Sequence, residues 1–94
     1  MTTLFWTPES IADRESIYDY IESDNPVAAL ALDELFSNQA LLLTSYPGLG
    51  RLGKVIGTRE LVVHPNYILV YDSVDECLRV LRVLHASMKW PPTL

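Results

Sequence analysis

Two cap-and-proline pairs, Thr7-Pro8 and Asn25-Pro26, constrain this chain more than any other feature of its sequence. A threonine or asparagine side chain can accept a hydrogen bond from the first-turn amides. A proline just inside the helix brings its φ already set and has no amide to leave unpaired. Glu9 adds negative charge at the positive end of the first helix. The first pair therefore predicts a helix to about Ser23, with Ile11, Ile17, Tyr18 and Ile21 as an incomplete apolar stripe. The second pair predicts another, in which Ala28, Ala31, Leu32, Leu35, Leu42 and Leu43 follow the helical period and polar Gln39 interrupts it. So short a connection between them predicts an antiparallel helical hairpin.

Strand signals flank the hairpin. Leu4-Phe5-Trp6 precedes it as a short apolar run. Pro47 with glycines at 48, 50, 53 and 57 marks the crossing from helix to sheet. Strands are then predicted from Arg59 to His64, Tyr67 to Asp72 and Cys77 to Leu84, separated by Pro65-Asn66 turn chemistry and a polar loop from Asp72 to Glu76. The order β-α-α-β-β-β predicts one α+β domain over residues 1–94, a helical hairpin packed on a small, mostly antiparallel sheet. In the last strand, strict alternation puts Arg79, Leu81, Val83 and His85 on one face and Leu78, Val80, Arg82 and Leu84 on the other. Both faces are then partly apolar, so something besides the helices should cover the second.

Charge is divided unevenly. Residues 1–47 carry eight acids (Glu9, Asp13, Glu15, Asp19, Glu22, Asp24, Asp33, Glu34) against Arg14 alone. Residues 48–94 carry six bases (Arg51, Lys54, Arg59, Arg79, Arg82, Lys89) against four acids, so a net −7 is followed by +2. Such a split suits one surface for an acidic target and another for a different partner. A hydrophobic fraction of 49% with 20% charged residues describes a globular chain rather than a disordered one. No apolar run is long enough to span a bilayer, and the N-terminus lacks the basic and apolar regions of a signal peptide. A lone Cys77 cannot close an internal disulfide and fits a reducing cytoplasm, and with only two histidines no closed zinc site is expected. The glycines around Gly48, Gly50 and Gly53 lack the lysine and hydroxyl of a phosphate loop and follow a helix, which argues against a nucleotide site. No cofactor or metal is expected.

The run Gly50-Arg51, Gly57-Thr58-Arg59-Glu60-Leu61, Tyr67-Ile68-Leu69-Val70-Tyr71, Val80 to Ala86 and Trp90-Pro91 resembles the RelE/ParE superfamily of bacterial type II toxins. The resemblance extends to the Trp6 strand, the Asn25-Pro26-x-Ala28-Ala29 junction and the element order, and covers nearly the whole chain. It implies a small cytoplasmic toxin neutralised by a cognate antitoxin, whose extended segment wraps it, with no membrane association and no direct DNA binding by the toxin alone. RelE-like members cut mRNA on the ribosome and ParE-like members poison DNA gyrase. A degenerate member would retain only antitoxin and operator-complex assembly.

Metal-free RNA cleavage needs groups that activate a 2′-hydroxyl, neutralise a phosphate and protonate the leaving oxygen. Under the RelE-like reading these would be His85, Arg82, Arg59, Lys54 and Tyr67. RelE-like nucleases commonly carry an arginine directly after the tyrosine of this strand, where this chain has Ile68. A sequence pI near 4.7 is also awkward for docking on ribosomal RNA, which leans the reading towards gyrase. Arg51, Arg59, Arg79, Arg82, Lys89 and Trp90 are the expected antitoxin- or target-binding residues. The bland readings stand beside these: His85 as a hydrogen-bonded strand end, Tyr67 and Tyr71 as core, Arg82 paired with Glu60, and Cys77 as a small buried hydrophobe.

Overall fold

A computed structural model describes residues 2–88 together with Trp90 and Pro91. Its elements are β1 (Thr3–Trp6), α1 (Pro8–Glu22), α2 (Pro26–Ser45), β2 (Arg51–Leu52), β3 (Arg59–His64), β4 (Tyr67–Val74) and β5 (Cys77–His85). The five strands form one sheet in the order β1-β5-β4-β3-β2, parallel between β1 and β5 and antiparallel elsewhere. This is the expected α+β hairpin-on-sheet arrangement with one strand added, the two-residue β2, too short to leave a sequence pattern.

Both helix starts form as their chemistry requires. The Thr7 hydroxyl oxygen accepts from the Ser10 amide at 3.2 Å, and Asn25 Oδ1 accepts from the Ala28 amide at 3.1 Å. Thr7 also donates its hydroxyl to the Leu81 carbonyl at 2.9 Å, so one side chain caps α1 and occupies an outward-facing acceptor of β5.

The core face of α2 is Ala29, Phe36, Ala40 and Leu43, all buried, whereas the expected stripe included Ala31 and Leu42, which are exposed. A helix this uniformly apolar gives periodicity little to choose between, and Phe36 decides the face by filling the space above the sheet. It meets Leu69, Tyr71, Leu78, Val80 and Val83 there.

The strict alternation expected for β5 fails at Leu81. The register passes from Tyr71↔Val80 to Val70↔Arg82, so Leu81 is an extra, bulged residue. A single insertion swaps the faces on either side of it. Leu78, Val80 and Val83 thus lie together in the core under the helices, and Arg79 and Arg82 fall on the open face. The loop expected from Asp72 to Glu76 also shrinks. β4 runs on to Val74, and only Asp75 and Glu76 turn the chain, at φ of 49° and 61°. Positive φ at both positions matches the twist of a two-residue hairpin.

Candidate functional site

The open face of the sheet carries one row of side chains across four strands, Arg51, Glu60, Val70 and Arg82, and a second across three, Val62, Ile68 and Leu84. Ala86, Met88 and Trp90 fold back over it, enclosing with Arg51, Lys54, Glu60, Ile68, Val70 and Leu84 a cavity of about 100 Å³. The second covering layer that β5 calls for is therefore the chain's own tail. The Trp90 indole N–H is enclosed there without a hydrogen-bond partner among the described residues.

Most cations of this region are already paired. Arg51 Nη2 lies 3.1 Å from Glu60 Oε1, and Glu60 is buried. Arg82 donates to both oxygens of Asp13 on α1, at 2.7 and 2.9 Å, and the Val83 amide donates to the same carboxylate at 2.9 Å. The expected partner of Arg82 was Glu60, but the β5 edge past the end of β1 brings Asp13 closer. Arg79 holds both oxygens of Asp72 through two hydrogen bonds. Hydrogen bonding to these carboxylates raises the proton affinity of both Arg79 and Arg82, keeping them cationic and bound to internal partners.

Arg59 falls on the other face. It shares register with Tyr71, donates to the Gly50 carbonyl at 2.8 Å, and lines a cleft with Pro47, Gly48, Gly57, Asp72 and Ser73. Tyr71 is core. Its hydroxyl donates to the Pro47 carbonyl at 2.7 Å and accepts from the Gly50 amide at 2.9 Å. Tyr67 stacks edge-on against Phe36 and His85, with ring centroids 5.6 and 5.4 Å apart. His85 Nδ1 accepts from the Ser87 amide at 3.1 Å and lies 2.7 Å from the Ser87 hydroxyl, and His64 Nδ1 accepts from the Asn66 amide at 3.1 Å.

The residues expected to act together are thus divided. His85 and Tyr67 meet at one end of the sheet on the helix side, in register with each other. Arg59 lies on that same side near the other end of β3, Arg82 is on the open face, and Lys54 sits in the β2–β3 connection. Arg51, Lys54 and Trp90 do gather at one cavity. Lys89 lies outside the described residues. Asp13, which neutralises Arg82, was not singled out from sequence because its partner lies 69 residues away, and Glu60, expected to pair with Arg82, pairs with Arg51 instead. Among the described residues no group of three His, Cys, Asp or Glu could hold a metal ion, and no helix is long and apolar enough to cross a membrane.

Beside α2, Ile21, Ala28, Ala31, Leu32, Leu35, His64, Asn66 and Tyr67 line an apolar groove of about 370 Å³.

A family model described as the ParE toxin of type II toxin–antitoxin systems matches residues 4–90. Toxin RelE2 of Caulobacter vibrioides is 36% identical over 87 residues, covering 93% of this chain and 98% of that protein. The chromosomal ParDE system of P. aeruginosa contains a chain that superposes with a TM-score of 0.80 at 26% identity, covering 90% of this chain and 96% of that one. The RelBE2 toxin–antitoxin complex of Mycobacterium tuberculosis shares the fold, with a TM-score of 0.62 at 23% identity over 89% of this chain and 96% of the other.

Proposed function

The chain belongs to the ParE toxin family of type II toxin–antitoxin systems, and from that premise we propose that it arrests growth by binding DNA gyrase, with no bond-making chemistry of its own. The observation that carries this reading is the internal neutralisation of the arginines. A nuclease must offer unpaired cations to a phosphate as charge develops on it. Here Arg51, Arg79 and Arg82 are each held by a carboxylate and Arg59 by a backbone carbonyl, which leaves Lys54 alone of the described candidate cations without such a partner. Freeing any of those arginines would cost its existing bonds. A protein target makes no such demand.

One observation favours mRNA cleavage instead: the rings of His85 and Tyr67, two residue types able to move protons, lie edge to face with centroids 5.4 Å apart. The sheet places Arg82 on the opposite face from that pair, so the pair lacks the open-face cation that a phosphate-cleaving site would call on. A cytoplasmic site of action and a cognate antitoxin belong to the same proposal, with an extended antitoxin segment laid along the apolar groove beside α2. Purified toxin should stop gyrase supercoiling while leaving mRNA intact in a reconstituted translation system, and His85→Ala should change neither result. Codon-positioned mRNA cuts abolished by His85→Ala would overturn the gyrase reading.

A further inference from the structure

The stretch from Leu49 through β2 to Ile56 presents four apolar side chains to solvent within eight residues, two of them in the β2–β3 connection itself. Leu49, Leu52, Val55 and Ile56 are all exposed, Leu52 at 78% and Ile56 completely. Single exposed hydrophobes are ordinary on protein surfaces; a group of them within one short segment is not.

The segment is also built rather than loose. The Gly53 amide donates to the Thr58 carbonyl at 2.9 Å, and the Val55 carbonyl accepts from both the Thr58 amide and the Thr58 hydroxyl, at 3.1 and 2.6 Å. Thr58 is buried. A Cβ at Gly53 would overlap the Thr58 hydroxyl, and Gly57 stands at φ +88°, where side-chain-bearing residues are strained. Fixed backbone under exposed apolar side chains lowers the ordering cost of being bound.

We infer that this knuckle inserts into a concave apolar pocket, rimmed by carboxylates, on the folded target protein. The inference rests on the proposal that the target is a protein. Shape selects the target over the antitoxin, because an extended antitoxin segment buries itself in grooves of the toxin. A fully exposed tip can only be buried by someone else's concavity. Charge selects the rim. Residues 35–59 contain no acid and three bases, in a chain whose net charge is −5. Lys54, in the middle of the knuckle, makes no ion pair among the described residues, and the Arg51 side chain is 61% exposed although paired. A carboxylate rim would steer the tip in and then pair with Lys54.

The test uses the whole toxin, its cognate antitoxin and purified gyrase, with Ile56→Asp, Leu52→Ser and Lys54→Glu made singly. Ile56 and Leu52 touch solvent and line no cavity described above, so those two variants should keep the parent's thermal midpoint and its antitoxin affinity within about twofold. Ile56→Asp should raise the concentration for half-inhibition of supercoiling at least about tenfold, as loss of a buried anchor does. Undiminished gyrase inhibition by Ile56→Asp would overturn the knuckle alone and leave the gyrase reading standing. Loss of antitoxin affinity with inhibition retained would likewise overturn it. A wild-type toxin inert towards gyrase would bring down both.

Discussion

Arg82 and Asp13, the one on the last strand and the other on the first helix, share two hydrogen bonds through a single carboxylate that also holds the Val83 amide. Where β1 ends, the edge of β5 would be left with unsatisfied groups. Thr7 takes the Val80 and Leu81 carbonyls and Asp13 takes the Val83 amide, so α1 completes the sheet edge that β1 leaves open. Asp13→Ala would strand a guanidinium that is only 26% exposed and orphan the amide as well. The expected loss is about 2–3 kcal/mol, against about 1 kcal/mol for Arg82→Met, which removes the cation and keeps the apolar stem. Urea unfolding at neutral pH measures both, and equal costs for the two would refute the asymmetry.

Gly50 is fixed by the Tyr71 hydroxyl. A Cβ there would lie 2.7 Å from that oxygen and 2.9 Å from the Glu60 carbonyl, and neither can retreat. Gly50→Ala should destabilise by about 2–3 kcal/mol, as overpacking in a tight core does. Tyr71→Phe leaves the Gly50 amide and Pro47 carbonyl unpaired and should cost about 1–2 kcal/mol. Because the Glu60 carbonyl and the ring edge still block the site, the double variant should not recover the loss. Recovery in chemical denaturation would show that the hydroxyl alone sets the limit.

Tyr18 has a phenol pKa raised above the ordinary value of 10.0, first by its hydrogen bond with Glu22, then by Glu22's charge, by burial, and by Asp33 and Asp19. A pKa raised in the folded state means that the folded chain holds this proton more tightly than the unfolded chain. The stability it lends is full below the unfolded value, near pH 10, and is lost as pH rises through the higher folded value. Glu22→Gln should bring the Tyr18 midpoint back towards 10 and reduce the alkaline loss. Tyrosine Cζ chemical shifts followed against pH report this directly, and an unmoved midpoint would discard the assignment.

Arg14 joins three elements. Its guanidinium lies 4.4 Å from the Trp6 ring centroid and forks onto both oxygens of Asp33 at 2.9 Å each. A lysine could keep the charge but not the fork or the flat stacking surface. Arg14→Lys should lower stability by about 1 kcal/mol in a thermal melt. It should also shift the fluorescence of Trp6, read in a Trp90→Phe background so that one indole reports. An unaltered emission spectrum would mean that the cation does not sit on the ring.

Much of this architecture was legible in advance, and the failures share a cause. Arg59–His64 was bounded correctly, because Gly57 and Pro65 punctuate it on either side. The bulge at Leu81 was not legible, since β5 is apolar at both parities and an inserted leucine changes no pattern. Asp75-Glu76 carries no glycine or asparagine, so a tight two-residue turn at positive φ looked like a longer polar loop. Of the candidate site, the six bases of the second half were visible as charges. That three of the arginines are spoken for by Glu60, Asp72 and Asp13 was not.

By itself the sequence determined the element order, the two helix starts, the resemblance to a toxin superfamily and the acid-to-base division. Those rest on local chemistry, on a cap, a proline or a glycine acting within a few residues. Tertiary structure alone decided which face of α2 is core, which face of the sheet carries Arg82, and that Arg82 and Asp13 meet across 69 residues of chain. Such outcomes depend on how an apolar helix seats on a twisted sheet and where one bulge reverses its faces, and packing rather than local preference sets both.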